Sequence, residues 1–417
     1  MDKRILQTVI ADQQNLGWQN NFIHRNLPES LFSGNDIVVI SGIRRCGKST
    51  VLNQIRHVRD ENAYYMNFDD DRLVQFTISD FQGLLELFIE LFGEQKTVYF
   101  DEVQNIAGWE RFVRRLHDYG YKIFVTGSNA TMLSRELGTH LSGRYITHEL
   151  YPFSFAEYLR YNNFETNLKF VLSTSKRATI QKHFNDYFSI GGFPLYIKHQ
   201  NPEYLKSLFE SVLFRDIMVR NNLTNEKEMK ELVFYLASNV SKLSSYNALS
   251  KVVGISNPST IKNYISLLQN AYLVFATNKF DYSLKTQIQN PKKIYFIDNA
   301  LIKVLGFFFS DDLGRLLENL IFIELKRRGK DVFYHSKKTE CDFVIRSGNK
   351  ISNAVQVSYS LADTVTRNRE IKGLLEAMQT YNIHSGTIIS HSEDDEIIVD
   401  NKTIKVVPAW QWLIEPA

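Results

Sequence analysis

The chain carries the stretch Gly42-Ile43-Arg44-Arg45-Cys46-Gly47-Lys48-Ser49-Thr50, which is the strongest structural signal in the sequence. It has the spacing of a phosphate loop, in which two glycines enclose four residues and a Lys-Ser pair follows. The stretch 36–41 before it, with the β-branched run Ile-Val-Val-Ile at its centre, predicts a buried strand, and the segment 51–57 after it predicts the opening of a helix. In this strand–loop–helix context, backbone N–H groups and a helix N-terminus surround an anion. The stretch therefore predicts a nucleotide phosphate site.

Each residue type in this loop has a chemical reason. The glycines let the backbone curl around a phosphate without a Cβ clash. Lys48 is expected to contact the β- and γ-phosphate oxygens of ATP, and the Ser49 hydroxyl is expected to bind Mg²⁺. The residues predicted to bind the nucleotide are Gly42, Arg44, Arg45, Cys46, Gly47, Lys48, Ser49 and Thr50.

A second landmark is the apolar run 97–100, which ends in Asp101 and Glu102. Downstream of a phosphate loop, such a run predicts a Walker B strand. Asp101 would belong to the Mg²⁺ shell, and Glu102 would orient and polarise the attacking water. An Asp-Glu pair after a strand is common by chance, so this interpretation depends on the loop upstream.

Two further segments carry candidate catalytic residues. The run 122–127 predicts a strand followed by Ser128 and Asn129, which would contact the γ-phosphate or the water, or cap the next helix. Arg144 precedes the last predicted strand of this region. It is either an arginine finger, which completes the charge around the transferred phosphoryl group, or a member of a surface salt bridge.

Composition limits the classes of protein. The length of 417 residues predicts about two to four domains, and the net charge of +3 is too small to imply a nucleic-acid partner by itself. Cys46 and Cys341 have no partners at metal spacing, so neither a disulfide framework nor a zinc site is indicated, and a reducing cytoplasmic location is expected. We expect no membrane association, because no run is long and apolar enough to span a bilayer.

The fold class predicted is α/β, with a parallel P-loop sheet and further domains after it. The predicted segments are an N-terminal helical segment (1–35), a P-loop ATPase core (36–158), a helical lid (159–225), a winged-helix-like domain (226–300) and a last α/β domain (301–417). The lid contains a strong break at 191–194, Gly-Gly-Phe-Pro.

Residues 226–300 resemble a winged helix. Helices are predicted at 228–240, at 245–253 and from 257 to 273, the last two joined by a short turn, and two strands joined by a loop follow. Lys262 and Asn263 would lie on the exposed face of the third helix. Nine lysines against five acidic residues give this segment a charge of +4. This charge favours contact with a phosphate backbone, but a protein-binding or purely structural role stays open.

Taken together, the motifs resemble the prokaryotic AAA+-type ATPases that carry a C-terminal domain of unknown function. The resemblance rests on G-x-R-R-x-G-K-S, Y-F-D-E-V-Q, V-T-G-S-N, L-S-G-R and L-x-P-F-S-F-x-E-Y, and it extends through 191–194, 214–217 and the C-terminal half. It implies ATP binding, ATP hydrolysis and a deoxyribonuclease-like C-terminal fold. It implies no particular substrate.

The nuclease-like fold implied by this resemblance is of the PD-(D/E)xK type, in which carboxylates hold Mg²⁺ and a lysine positions the water. Glu318 on a helix and Asp342 in a hairpin occupy carboxylate positions, but Gln356 and Ser358 stand where another carboxylate and the lysine are expected. We therefore predict a degenerate site without nuclease activity. The alternative is a lysine supplied by Lys337 or Lys338.

The sequence thus predicts a Mg²⁺-dependent AAA+-type ATPase coupled to a C-terminal module that binds DNA or a protein. The alternative is a nucleotide-gated binding or signalling switch with little turnover. A homo-oligomer that assembles with nucleotide stays open.

Overall fold

A computed structural model describes residues 1–15, 22–59, 64–128, 143–164, 173–307 and 313–415. These residues form two compact units. The first comprises 1–151 with the short segment 270–272, and the second comprises 152–269 and 273–417. The finer division into five segments stays a prediction.

The first unit contains a sheet of five parallel strands in the order β2-β3-β4-β1-β5. Strand β1 precedes the phosphate loop, and strand β3 is the predicted Walker B strand. Both are buried along their whole length, as expected for apolar runs covered on both faces of a sheet. The strands are β1 (Ile37–Ser41), β2 (Tyr65–Asn67), β3 (Thr97–Asp101), β4 (Lys122–Gly127) and β5 (Tyr145–Glu149).

Helices cover this sheet and supply much of its core. Helix α3 buries Phe81, Leu84 and Phe88, which recur at helical spacing, and its Phe81 ring stacks on Phe112 of α4 with a centroid separation of 4.6 Å. The helices of the first unit are α1 (Lys3–Asn15), α2 (Lys48–Val58), α3 (Phe81–Phe92) and α4 (Trp109–Asp118).

The strand order decides which side chains meet. Strand β4 lies between β1 and β3, and all three run parallel. Their carboxyl ends therefore share one edge of the sheet, where ligands bind in open α/β sheets. The register places Ser41 opposite Gly127 and Phe100 opposite Val125, so that the phosphate loop, Asp101 and Thr126 emerge side by side.

The second unit begins with helices and contains two sheets. Its helices are α5 (Phe155–Tyr161), α6 (Thr174–Ile190), α7 (Pro194–His199), α8 (Pro202–Ser211) with a π-helical continuation (Val212–Val219), α9 (Glu226–Ser238), α10 (Tyr246–Val253), α11 (Pro258–Asn270, whose last residue belongs to the first unit), α12 (Leu284–Gln289), α13 (Asn299–Leu305), α14 (Leu313–Arg327), α15 (Thr364–Tyr381) and α16 (Ala409–Ile414).

The smaller sheet has three antiparallel strands in the order β6-β8-β7, and the larger has six strands of mixed direction in the order β13-β14-β12-β11-β10-β9. The strands are β6 (Leu243–Ser244), β7 (Val274–Thr277), β8 (Lys292–Phe296), β9 (Asp331–Ser336), β10 (Glu340–Ser347), β11 (Lys350–Ser358), β12 (Ser385–Ser390), β13 (Asp395–Val399) and β14 (Lys402–Pro408).

The α/β fold class is confirmed, with a parallel sheet followed by a mixed one. One local prediction is wrong: the loop expected between the two strands that follow the third helix contains the short helix α12, which Ser283 caps by accepting a hydrogen bond from the Thr286 amide. The third helix also ends at Asn270, three residues earlier than predicted. The helix that Ser128 or Asn129 is expected to cap would lie outside the described residues. No helix in the described part of the chain has both the length and the apolarity to cross a membrane.

The Gly-Gly-Phe-Pro break is fixed by a buried carboxylate. Gly191 ends α6 with a φ of 68°, and the Gly192 amide donates to Asp298 Oδ2 at 2.7 Å. Asp298 also caps α13 by accepting from the Ala300 amide at 2.8 Å. Burial raises the pKa of Asp298 to about 6, although these amide donors lower it. A Cβ at Gly191 would lie 2.0 Å from Asp298 Oδ1, so only glycine fits here.

We therefore expect Gly191→Ala to lower the free energy of unfolding by about 2 kcal/mol or more, because the change adds both a positive-φ penalty and a clash. Urea unfolding followed by circular dichroism measures this. The control is Gly314→Ala, in α14, where an added Cβ meets nothing within 4 Å. It should stay within about 1 kcal/mol of the wild type. Equal losses of unfolding free energy in the two variants would contradict the conclusion that only glycine fits at position 191.

Candidate functional site

The phosphate loop leaves β1 by passing very close to the end of β5. A Cβ on Gly42 would lie 2.2 Å from the carbonyl oxygen of Leu150, so any side chain there would displace backbone. Gly47 occupies the N-cap of α2 with a φ of 105°, and Arg45 also has a positive φ, of 67°. The first glycine is thus required by packing within the sheet, in addition to the access it gives to a phosphate.

Lys48, the first residue of α2, is only 4% exposed. Its Nζ donates to the carbonyl oxygens of Gly42 and Ile43 at 3.2 and 3.3 Å, and it lies 3.4 Å from Glu102 Oε1. Burial by itself lowers the pKa of Lys48, but nearby negative groups, Glu102 foremost, outweigh burial and leave the pKa raised. The side chain is therefore a charged ammonium beside the loop.

Glu102 follows β3 in a left-handed conformation with a φ of 50°, which turns its side chain toward Lys48. Its carboxylate accepts a hydrogen bond from Gln104 Nε2. Burial alone raises the pKa of Glu102, but Lys48, Gln104 and Arg44 outweigh burial and lower it. Glu102 is therefore an ionised carboxylate at the edge of the sheet, which is the state that a base or a water-orienting group needs.

Asp101, the last residue of β3, is completely buried. It accepts hydrogen bonds from the Ser49 and Thr126 hydroxyls, and the Tyr65 hydroxyl lies 3.4 Å from its Oδ2. Burial, and then repulsion from Glu102, raises the pKa of Asp101. The predicted pair of Mg²⁺ ligands, Ser49 and Asp101, is thus in direct contact.

Other loop residues have distinct surroundings. Arg44 lies 4.0 Å from Asp69, and its charge also acts on Glu102. Cys46 is buried, and burial raises the pKa of its thiol. Arg45 and Thr50 are exposed.

The candidates after β4 and before β5 lie apart from each other. Ser128 is buried at the carboxyl edge, whereas Asn129 lies outside the described residues. The carbonyl of Arg144 accepts from the Ile37 amide at 2.8 Å, which places Arg144 at the edge where the strands begin. The length of β1, roughly 13–16 Å, separates that edge from the phosphate loop. The guanidinium of Arg144 is 3.5 Å from Asp118, so the salt bridge considered from the sequence is present.

Two residues of this site were missed in the sequence. Thr126 joins Asp101 and Glu102, because its hydroxyl donates to the first and accepts from the amide of the second. Arg25 is buried and holds the loop in place by donating to the carbonyl of Cys46 at 3.1 Å and of Tyr151 at 2.6 Å. Thr126 could have been found as a polar residue ending an apolar strand. Arg25 has no such signal, because it lies in an irregular segment.

The arrangement fits a magnesium–nucleotide ligand. Glu102 faces the charges of Lys48 and Arg44, and Asp101 is the second carboxylate near Lys48, so carboxylates and cations meet at one place. Within the described ranges no three His, Cys, Asp or Glu side chains form a metal-binding group. The Ser49 hydroxyl and the Asp101 carboxylate are oxygen donors in contact, and Mg²⁺ takes one or two such protein ligands and completes its shell with water and phosphate oxygens.

The second unit contains another buried cluster of charges, centred on Lys293 of β8. Its Nζ lies 2.9 Å from Glu318 Oε1, 2.9 Å from Asp342 Oδ1 and 2.7 Å from Glu340 Oε1. Glu318 Oε1 also accepts from the Tyr295 hydroxyl at 2.6 Å. Burial, then repulsion from Asp342, raises the pKa of Glu318 to about 7. The predicted carboxylates thus converge, but they converge on a lysine.

Asn319 explains why β8 reaches this cluster. Its buried side chain accepts from the amide of Phe296 at 2.7 Å and donates to the carbonyl of the same residue at 3.0 Å, which fixes β8 against α14. Sequence reasoning missed Lys293, because it belongs to a strand assigned to another segment. Two adjacent lysines in an otherwise apolar strand were the available signal, since alternation points one of them inward.

The remaining predicted residues of this cluster are occupied by other contacts. Gln356 Oε1 accepts from the Asp342 amide at 3.1 Å, and Gln356 Nε2 donates to Glu370 Oε2 at 2.6 Å. The Ser358 hydroxyl donates to the carbonyl of Ser360. Lys338 lines an open cavity of about 710 Å³ that Glu318, Asp342 and Gln356 also line, and its backbone amide donates to Glu376 Oε1 at 3.0 Å.

Comparison with known proteins gives three matches to family models. Residues 34–159 match an AAA domain, residues 181–311 a domain of unknown function (DUF8612), and residues 313–412 another domain of unknown function (DUF4143).

Similar solved structures include Cdc6p from Pyrobaculum aerophilum, with a TM-score of 0.26, 12% identity and coverage of 73% of this chain and 98% of that one. The ADP form of the Aeropyrum pernix ORC2 protein gives a TM-score of 0.33 and 12% identity, over 66% of this chain and 91% of that one. Neither likeness is close enough to support a statement about function.

Two relatives match over almost their whole length. An uncharacterized protein of Methanocaldococcus jannaschii is 35% identical, over 99% of this chain and 96% of its own length. An uncharacterized protein of Haemophilus influenzae is 31% identical, over 91% of this chain and 94% of its own length. The chain belongs to the family of these proteins, an AAA-type P-loop family with ATP-binding character and C-terminal domains of unknown function.

Proposed function

We propose that this protein is a Mg²⁺-dependent ATPase of AAA+ type. Its cycle of ATP hydrolysis drives a C-terminal module that binds a nucleic acid or a protein. The observation that carries the proposal is the convergence of Lys48, Ser49, Asp101 and Glu102 at one edge of the parallel sheet. Each of the four has the chemistry required of its position in phosphoryl transfer.

The residues divide the work as follows. The contacts of Lys48 with the described residues are long, between 3.2 and 3.4 Å, so that phosphate oxygens can replace Glu102 as its partner. Glu102, released from Lys48, would then accept a hydrogen bond from the attacking water. Thr126 keeps Glu102 next to Asp101 through the Glu102 amide. Ser49 and Asp101 would hold Mg²⁺, which neutralises charge on the phosphates when bound.

The elements of the C-terminal half support the proposal of a binding module. Helices α9, α10 and α11 and the sheet in the order β6-β8-β7 are the elements expected of a winged helix, with β6 between α9 and α10 in the chain and β7 and β8 after α11. The larger mixed sheet, with Asp342 and Gln356 on its strands and Glu318 on helix α14, suits a nuclease-like domain whose site is degenerate. A helical lid over the nucleotide remains part of this proposal.

One observation favours the alternative of a nucleotide-gated switch with little turnover. Glu102 is held by Lys48 through Oε1 and by Gln104 through Oε2, and a carboxylate that keeps both partners is a weaker base toward water. The rate of hydrolysis distinguishes the two functions, since both require nucleotide binding.

The first functional prediction separates binding from turnover. Lys48→Ala should weaken ATP binding at least tenfold, or about 1.4 kcal/mol, because the ammonium that faces the phosphates is lost. Glu102→Gln should keep ATP binding and lose turnover, because the amide cannot act as a base. Calorimetric ATP titration and phosphate release measure the two quantities.

Matched controls for these variants are Lys3→Ala and Glu90→Gln, which break one exposed ion pair of 2.7 Å in the same unit. Both should bind and hydrolyse ATP like the wild type. Unchanged ATP affinity in folded Lys48→Ala would contradict the assignment of 42–50 as the phosphate-binding loop. Wild-type turnover in Glu102→Gln would show that Glu102 does not orient the attacking water.

Because Arg144 lies at the far edge of its own sheet, its proposed role as a finger requires the nucleotide of another copy. Turnover per subunit should then rise with protein concentration, and Arg144→Ala should bind ATP but hydrolyse it poorly. A mixture of Arg144→Ala with Glu102→Gln should regain part of the activity, because some interfaces pair an intact site with an intact finger.

Arg114→Ala is the control, because Arg114 also contacts Asp118, at 3.9 Å, and carries the same charge. If both arginine variants reduce turnover equally, or if a strictly monomeric protein is fully active, Arg144 acts only in a surface salt bridge.

The C-terminal unit is expected to leave DNA uncut. Metal-dependent cleavage requires a metal ion among carboxylates and a cation beside the water, but the Lys293 ammonium lies between Glu318 and Asp342, and Gln356 carries no charge. Groups of this kind are worth on the order of 10²–10³ in rate each. Linear and supercoiled DNA incubated with the protein and Mg²⁺ or Mn²⁺, with and without ATP, should stay intact on a gel. Cleavage that persists in Lys48→Ala and disappears in Asp342→Ala would contradict this expectation.

A further inference from the structure

A small cavity lies among α10, α11 and the segment that leads into β8. Its volume is about 210 Å³, room for roughly seven waters at ~30 Å³ each, which suits one phosphate group with part of its hydration. Its polar lining includes Ser245, Asn247, Ser259, Lys262, Asn290 and Lys292. None of the described residues that line it is acidic.

The surrounding sequence has the same bias. Residues 239–297 contain seven lysines and one acidic residue, Asp281. One of the seven, Lys293, is neutralised by the carboxylates of the other cluster. Lys242, Lys251, Lys262 and Lys285 are exposed, so the basic surface continues outside the cavity.

Lys292 is the buried cation of this cavity, with 6% of its surface exposed. Its Nζ donates to the carbonyls of Gln287 at 2.6 Å and Ile288 at 3.0 Å. An ammonium has three donors, so among the described residues one donor of Lys292 is left for a ligand. Burial, and then the charge of Lys262, lowers the pKa of Lys292. The charge of Lys262 thus reaches Lys292, and the described residues that line the cavity supply no carboxylate.

Two helices begin at the same cavity. Ser245 caps α10 by accepting from the Ala248 amide at 3.1 Å, and Asn257 accepts from the Ser259 amide at 2.9 Å at the start of α11. At α11, Pro258 has no N–H and the Thr260 amide donates to the carbonyl of Asn257 at 3.0 Å, so the first-turn amides that stay available among the described residues are those of Tyr246 and Asn247 in α10. The helix dipoles add positive potential. Lysine charge and helix ends therefore favour the same ligand, an anion.

We propose that this cavity binds a backbone phosphate of a nucleic-acid duplex, with Lys262 and Lys292 as its cationic contacts. The inference rests on the proposed function in one respect, since it names the partner of the C-terminal module. A duplex explains why the lysines extend beyond the cavity, because neighbouring phosphates would meet them. Free phosphate or an acidic protein would use the same charges, so the test includes both.

The test measures binding of a short fluorescein-labelled DNA duplex to the full chain by anisotropy, over a series of salt concentrations and without nucleotide. Lys262→Glu should weaken binding at least tenfold and flatten the dependence of affinity on salt, because a phosphate contact releases counterions. Lys227→Glu is the matched control, with the same charge change on α9 at a side chain that is 88% exposed. It should stay within about twofold of the wild type.

Lys292→Met provides a second variant that keeps the aliphatic stem, and circular dichroism establishes that it is folded. It should also weaken duplex binding. The inference is overturned if the wild type does not bind duplex, if Lys262→Glu and Lys227→Glu bind equally, or if folded Lys292→Met binds like the wild type. It is also overturned if inorganic phosphate or polyglutamate displaces the duplex as well as unlabelled duplex does. Because no nucleotide is present, these outcomes are independent of ATP hydrolysis, whose loss would refute only the proposed function.

Discussion

The first unit depends on the burial of one ammonium, that of Lys48, beside two carboxylates. A charge taken out of water is costly unless it is paired, and here Glu102, Asp101 and two loop carbonyls share that task. The strand order brings these groups together, and Gly42 allows the loop to pass the end of β5 closely enough. Because the contacts of Lys48 are long, a phosphate oxygen can replace Glu102 as its partner. A site that binds a phosphate requires such an exchange.

The second unit uses the same chemistry with the opposite consequence. Lys293 has three donors and three carboxylate partners between 2.7 and 2.9 Å, so its hydrogen-bonding capacity is saturated. Breaking such a buried pair leaves an uncompensated charge, which is strongly destabilising. Lys48 can change partners, whereas Lys293 holds α14, β8 and β10 together. This difference is the physical basis for proposing reaction chemistry in the first unit and none in the second.

Local signals in the sequence predicted the parallel sheet, the phosphate loop and the acidic end of β3, because each lies within one short stretch. The sequence did not indicate the role of Arg25 or of Lys293, since each acts on residues distant in the chain that only tertiary packing brings close. It also predicted a loop where α12 forms, because a cap such as Ser283 is a weak signal in a segment of six helical residues. The position of Arg144 was also not predicted. A sequence can suggest the role of a charged residue, but it does not show which edge of a sheet the residue occupies.

The central claim is that Lys48, Ser49, Asp101 and Glu102 form a site for nucleotide and Mg²⁺ together. Calorimetric titration of the wild-type protein with ATP, in the presence of Mg²⁺ and in excess chelator, tests it most directly, with Asp101→Asn as the comparison. The account predicts that chelation weakens ATP binding to the wild type and has little further effect on Asp101→Asn, because the carboxylate that would hold the metal is gone. Equal ATP affinity of the wild type with and without Mg²⁺ would contradict it.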